Sequence, residues 1–175
     1  MGTVGAVNET DKPTPRLTHL DASGRAQMVD VGDKVATLRI AKAAALVRLT
    51  PEVREQLLAG RLPKGEALAV ARIAGIQASK ETARLIPLCH PLPLSHVAVD
   101  FAAIGEDAIA VLTEARTHAP TGVEMEAMTA AAVAALTLYD MVKGVCRLAR
   151  IEHVQLVHKS GGRSGVWDRA LPEAP

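Results

Sequence analysis

Partial alternation of apolar and polar residues runs through residues 35–49, VATLRIAKAAALVRL, and its β-branched content predicts a strand. TPEVREQLLAG (50–60) reads as a short helix, with Thr50 as cap, Pro51 in the first turn and Gly60 at the end. KGEALAVARIAGIQASKETARLI (64–86) has apolar residues at helical spacing, at Leu68, Ala71, Ile73, Ile76 and Leu85, and must stop before Pro87. HVAVDFAAI (96–104) and DAIAVLTEART (107–117) alternate, or nearly so, around the turn GED, which predicts a hairpin. TGVEMEAMTAAAVAALTLYDMVKGV (121–145) is the strongest helical stretch, rich in Ala and closed by Gly144. In IEHVQLVHK (151–159), Ile151, His153, Gln155 and Val157 oppose Glu152, Val154 and Leu156, the pattern of a last strand. The order strand, helix, helix, strand, strand, helix, strand predicts an α+β fold. In it an antiparallel sheet carries helices packed on one face, as in the ferredoxin-like α/β plait. Residues 1–16 are polar and rich in Gly and Pro without apolar period, which predicts a disordered leader. Residues 17–167 then form a single domain, and 168–175 a loose C-terminal tail.

Bulk composition narrows the classes of function. The 175 residues are 49% hydrophobic, ample for one core. Lys and Arg number 20 against 19 for Asp and Glu, a balance that disfavours nucleic acid as partner. The aromatics are Phe101, Tyr139 and Trp167, too few for a base-stacking platform or an RNA-binding plait. No signal-peptide pattern opens the chain and no apolar run reaches bilayer length, so the expectation is a cytoplasmic protein that binds no membrane. Cys89 and Cys146 are then reduced thiols, and the Asn8-Glu9-Thr10 sequon is idle.

The candidate chemistry falls in five places. HKSGGRSGVW (158–167) sets Lys159, Ser160, Arg163 and Ser164 among Gly161, Gly162 and Gly165, a loop whose N–H groups can turn toward a phosphate or carboxylate. It is no Walker loop, since the lysine leads the glycines. In LIPLCHPLPL (85–94), Pro87, Pro91 and Pro93 stiffen the backbone that displays Cys89 and His90. His90 is therefore a candidate working side chain, or else a loop histidine bonded to backbone. The adjacency of Cys89 and His90, with no second pair at zinc-like spacing, leaves no metal site. In VEMEA (123–127), Thr121 and Glu124 fit a capping box, while Glu126 lies about 200° around the helix from Glu124. Asp140 and Lys143, at i and i+3, adjoin near Tyr139, Met141 and Val142. They are either a surface ion pair or a partly buried proton donor and acceptor. Lys64 opens the second helical stretch, where a cation opposes the helix dipole unless it faces an anion. From Glu126 to Asp140 is about 21 Å along one helix, too far for a small ligand to touch both.

MVDV (28–31), ARIAGIQASK (71–80), IPLCHPL (86–92), TGVEMEAMTAAAVAALTLYDMVK (121–143) and HKSGGRSG (158–165) resemble the signature segments of the molybdenum cofactor biosynthesis protein C family, the cyclic pyranopterin monophosphate synthases. The resemblance runs from about Leu17 to Trp167. It implies a ferredoxin-like subunit in a homo-hexamer, a trimer of dimers with sites at the dimer interfaces. The implied activity is a lyase reaction without cofactor. It takes 3′,8-cyclo-7,8-dihydroguanosine 5′-triphosphate to cyclic pyranopterin monophosphate and diphosphate. Carried over by motif, Asp140, Lys143 and Lys64 are the acid–base residues. Leu88, Cys89, His90, Glu124, Met125 and Glu126 line the substrate pocket, and Lys159 and Arg39 suit the triphosphate. The chain departs from the family in having Glu66 where Asp is common after KG, Ala119-Pro120 where a lysine often precedes TGVEME, and Arg163 for a lysine. A rival reading is a non-catalytic nucleotide-binding module, which leaves Asp140, Lys143 and the His90 loop without work.

Overall fold

The computed structural model describes residues 20–169 apart from Ala22; the predicted leader, and the predicted tail from Ala170 onward, lie outside the described residues. The elements in chain order are β1 (Thr37–Arg48), α1 (Pro51–Leu58), α2 (Ala67–Lys80), α3 (Thr82–Leu85), β2 (Leu94–Ile104), β3 (Ala108–Ala119), α4 (Glu124–Val142), β4 (Arg150–Ser160) and β5 (Trp167–Asp168). The strands form one antiparallel sheet in the order β2-β3-β1-β4-β5, and α2 and α4 pack together over it. This is the expected α+β plait, with β5 added at one edge. Asp168, assigned to the tail by pattern, is a strand residue paired with His158, and its carboxylate lies 2.6 Å from His158 Nδ1.

Local chemistry accounts for most element ends. The Thr50 hydroxyl accepts from the Val53 N–H at 3.4 Å, Pro51 occupies the first turn, and α1 gives way to Gly60 at φ +66°. The stretch 64–86 is not one helix. The Glu81 N–H bonds three residues back to the Ala78 carbonyl, so α2 stops at Lys80 and the short α3 restarts at Thr82.

The core is built mostly of small residues. Ala41, Ala43, Ala45 and Val47 of β1 and Ile109 and Val111 of β3 are buried with Ala127, Ala130, Ala134 and Leu138 of α4. On α2 the buried face is Ala67, Ala71, Gly75 and Ala78, whereas Ile73 and Leu85, expected to be apolar anchors, are exposed. Close approach decides this. A Cβ on Gly75 would stand 2.9 Å from the Ala130 carbonyl oxygen and 3.1 Å from Ala134 Cβ. α4 is long and apolar enough to cross a membrane, but half of that stretch is buried inside the fold, as befits a core helix.

β4 does not follow the simple alternation. Against β1 its register shifts twice, so that Val47 pairs with Ile151, Ala43 with Leu156 and Ala41 with Lys159. His153, at φ +54°, lies in the first shift. Each bulge exchanges the faces of the residues beyond it. The first brings Leu156 to the side of the buried β1 alanines, beneath the helices, and the second restores the original parity, so that Lys159 shares this side with Ile151. The opposite side of the sheet is polar, with Lys42 bonded to Glu114 and Arg48 to both Asp107 and Glu152.

Candidate active site

The predicted site residues collect at the two ends of α4. At its start, α4 begins at Glu124 with Val123 as N-cap and no side-chain cap, so the capping box of Thr121 and Glu124 does not form. Glu124 instead accepts from Lys159 Nζ at 3.2 Å, with Lys159 opposite Ala41 of β1 on the side of the sheet that the helices cover. The carboxylate also sits favourably at the positive end of the helix dipole. Around this pair lies a cleft of about 1190 Å³, lined among others by Lys34, Arg39, Lys159, Ser160, Arg163 and Ser164. Gly161 and Gly162, at φ +99° and +68°, shape its loop wall. Lys34 and Arg163 have no ion-pair partner among the described residues, so the cleft, with four cationic side chains against Asp33 and Glu124, keeps a positive balance.

Little more than half a turn of helix separates a second environment. Glu126 is 4% exposed and lines a smaller cleft of about 360 Å³ together with Ser79, Lys80, Arg84, Pro91 and Pro93. The two carboxylates of VEMEA thus open into different clefts, as their angular offset requires. Burial, with a further push from the Glu124 charge, raises the Glu126 carboxyl to about 7. Burial also raises the Cys89 thiol, and the Glu126 charge adds to it, which favours the neutral thiol over the thiolate. Leu88, Cys89, His90 and Met125 are half-buried. The loop holding the first three is pinned at both ends: the Cys89 N–H donates to the Ile86 carbonyl at 3.1 Å, and the Thr117 hydroxyl donates to the Pro93 carbonyl at 2.8 Å. The His90 ring makes no hydrogen bond to protein among the described residues.

At the far end of α4, Asp140 lies between two lysines. Lys143 Nζ is 2.6 Å from Oδ1, and Lys64 Nζ donates to Oδ2 at 3.3 Å and to the Asp140 carbonyl at 2.8 Å. Lys64 precedes α2 instead of opening it, and the anion it faces is the negative end of α4. Bonds from Lys143 first and Lys64 second hold the Asp140 carboxyl below its ordinary range, while Asp140 raises Lys143. Asp140 and Lys143 are 54% and 55% exposed, so the partly buried pair expected from their apolar neighbours is instead an open triad.

Sequence reasoning did not single out Lys34, Lys80 or Arg84. Lys34 lies in a stretch without apolar period; Lys80 and Arg84 stand at i and i+4 across the break after α2, a cationic spacing that could have marked them.

The sequence profile of the MoaC family matches residues 28–162. The chain belongs to the MoaC family. A cyclic pyranopterin monophosphate synthase of a Nostoc species is 52% identical over 165 residues, covering 94% of this chain and 96% of that protein. Proteins of the same name from Thermomicrobium roseum and Chloroflexus aurantiacus are 54% and 53% identical, covering 90% and 87% of this chain and 96% and 94% of their own lengths. The MoaC family match includes Arg39, Lys64, the His90 loop, both ends of α4 and Lys159, and ends at Gly162 within the glycine loop.

Proposed function

We propose that the protein is a cyclic pyranopterin monophosphate synthase of molybdenum cofactor biosynthesis, a lyase that releases diphosphate from the cyclic dihydroguanosine triphosphate. The observation that carries this reading beyond family membership is the pairing of a cationic glycine-loop cleft with acid–base groups of separated character. The cleft suits the triphosphate, with Lys159 and Arg39 in its wall. To form a cyclic monophosphate, a substrate hydroxyl must attack the α-phosphorus as the bond to the leaving diphosphate breaks. The hydroxyl proton passes to a base and the diphosphate leaves as an anion. Glu126 near neutrality can exchange that proton or one from the purine-derived ring. Asp140 keeps Lys143 charged, and with Lys64 the triad supplies donors for the ring rearrangement. Leu88, Cys89, His90, Glu124 and Met125 complete the pocket.

Glu126 and Asp140 lie about 21 Å apart along α4. One substrate can meet both ends if it is long or if a second chain supplies one of them. We propose the second, with a dimer as the catalytic unit, and take from the family resemblance its place within a homo-hexamer working in the cytoplasm. Incubation with the cyclic dihydroguanosine triphosphate, followed by assay of pterin and diphosphate, tests the reaction. Turnover by the wild type is expected; nucleotide binding without either product would favour a non-catalytic module. Lys159→Ala should raise KM more than it lowers kcat, since a phosphate grip held throughout the reaction is uniform binding.

A further inference from the structure

Arg39 shares the cleft with Lys159, but its guanidinium is already engaged by the protein. Nε donates to the Ala119 carbonyl at 3.3 Å, Nη2 to the Pro120 carbonyl at 3.2 Å and Nη1 to the Gly161 carbonyl at 3.4 Å. Three of its five N–H groups are committed, including the Nε edge from which a side-on fork would grip an oxyanion. The loop also covers it. A Cβ on Gly162 would fall 2.0 Å from Nη1 and 2.5 Å from Cζ of Arg39, so only glycine leaves room for the guanidinium there. Gly161 is packed as closely on the other side, where a Cβ would meet the Leu38 carbonyl oxygen at 2.1 Å.

The acceptors belong to two separate segments. Ala119 and Pro120 end β3 and lead within four residues to Glu124, whereas Gly161 follows Lys159 by two. One side chain from β1 therefore ties together the two backbones that present the Lys159–Glu124 pair. Lysine at position 39 would keep the charge but could not span three divergent carbonyls.

We propose that Arg39 is a positioning residue. It staples the glycine loop to the β3–α4 turn, so that Lys159 and the loop N–H groups face the cleft, and it is not the cation on which the phosphate rests. Its consequence for binding rests on the reading of this cleft as the phosphate site. The charge left free for an anion is then on Lys159, once displaced from Glu124, and on Lys34 and Arg163.

The test compares wild type, Arg39→Lys and Gly162→Ala, the last of which displaces the guanidinium but also strains a backbone at φ +68°, so that Arg39→Lys carries the decision. Far-ultraviolet circular dichroism checks the fold, hydrogen exchange reads the amides of residues 161–165, and calorimetry reads binding of inorganic tripolyphosphate. In both variants, loop exchange without ligand should accelerate by about tenfold or more, tripolyphosphate should bind about tenfold more weakly, and KM should rise with kcat nearly retained. The double variant should be no worse than the worse single one, because both lesions break the same staple. Unchanged loop exchange in Arg39→Lys, with binding equal to wild type, would overturn the proposal and make Arg39 a simple point charge. Should Arg39→Lys not fold, Arg39→Gln, which leaves the loop backbone unchanged, decides by the same readings. If the wild type binds no tripolyphosphate while both variants loosen the loop, the phosphate reading of the cleft falls and the staple stands.

Discussion

A carboxyl group only 4% exposed, with no ion-pair partner among the described residues, leaves a record in stability as well as in catalysis. Glu126 binds its proton more tightly folded than unfolded, with its value raised from 4.5 to about 7. Its contribution therefore favours the fold below about 4.5 and is lost as pH rises through about 7. The shift corresponds to about 3 kcal/mol at most. Urea unfolding of the wild type should show stability declining across that window. Glu126→Gln should remove this part of the slope and be the more stable protein at pH 8; parallel pH profiles would rule out a buried, proton-binding carboxyl. Asp140 is the opposite case. Exposed and held ionised by Lys143 and Lys64, it can be changed to Asn with an unfolding midpoint nearly that of wild type. Turnover should nonetheless fall by about 10²-fold or more. Asp140→Asn and Lys143→Ala should be strongly non-additive, since removing either idles the other. Near-normal pterin formation by folded Asp140→Asn would end the catalytic assignment.

Among the elements, α2 and α4 depend on absent side chains. Ala at position 75 would improve helix propensity by about 1 kcal/mol. Its methyl group would nevertheless meet a backbone oxygen of α4, an atom that cannot swing aside. Gly75→Ala should therefore be destabilising by about 1–2 kcal/mol net, read as a lower urea midpoint at constant m. An unchanged or higher midpoint would mean that α2 can move off α4 without loss. β4 carries the other constraint. Its strand character was legible from β-branched residues and alternation, but its bulges were not. Lys159 shares the face of Ile151 as alternation requires, whereas Leu156 joins them there only through the first bulge, which no local pattern records.

Across the whole molecule, the separation of the two charged constellations is the dominant fact. If a site is completed by two chains, a subunit defective at the start of α4 should complement one defective at its end. Glu126→Ala and Asp140→Asn proteins, each nearly inactive alone, should regain about a quarter of wild-type activity when co-expressed, because half of randomly paired dimers are mixed and each mixed dimer keeps one intact site. No recovery from a mixture shown by mass spectrometry to contain mixed assemblies would place the whole site within one chain.

Apolar period and Pro and Gly punctuation were enough to determine the main strands and helices and the α+β class, because these are local properties of helix, strand and turn, though not the break before α3 or the edge strand β5. The tertiary structure decided the rest. Ile73 is outside and Gly75 inside because helix approach rewards small side chains where two backbones must nearly touch. Glu124 pairs with Lys159 instead of capping its own helix because the antiparallel pairing of β4 with β1 brings a lysine from a distant strand to the helix start. Lys64 finds Asp140 across 76 positions of chain because the C-terminal carbonyls of α4 and an aspartate together attract a cation from a neighbouring loop. Such pairings depend on which backbones the fold brings side by side, and that information lies in no single stretch of sequence.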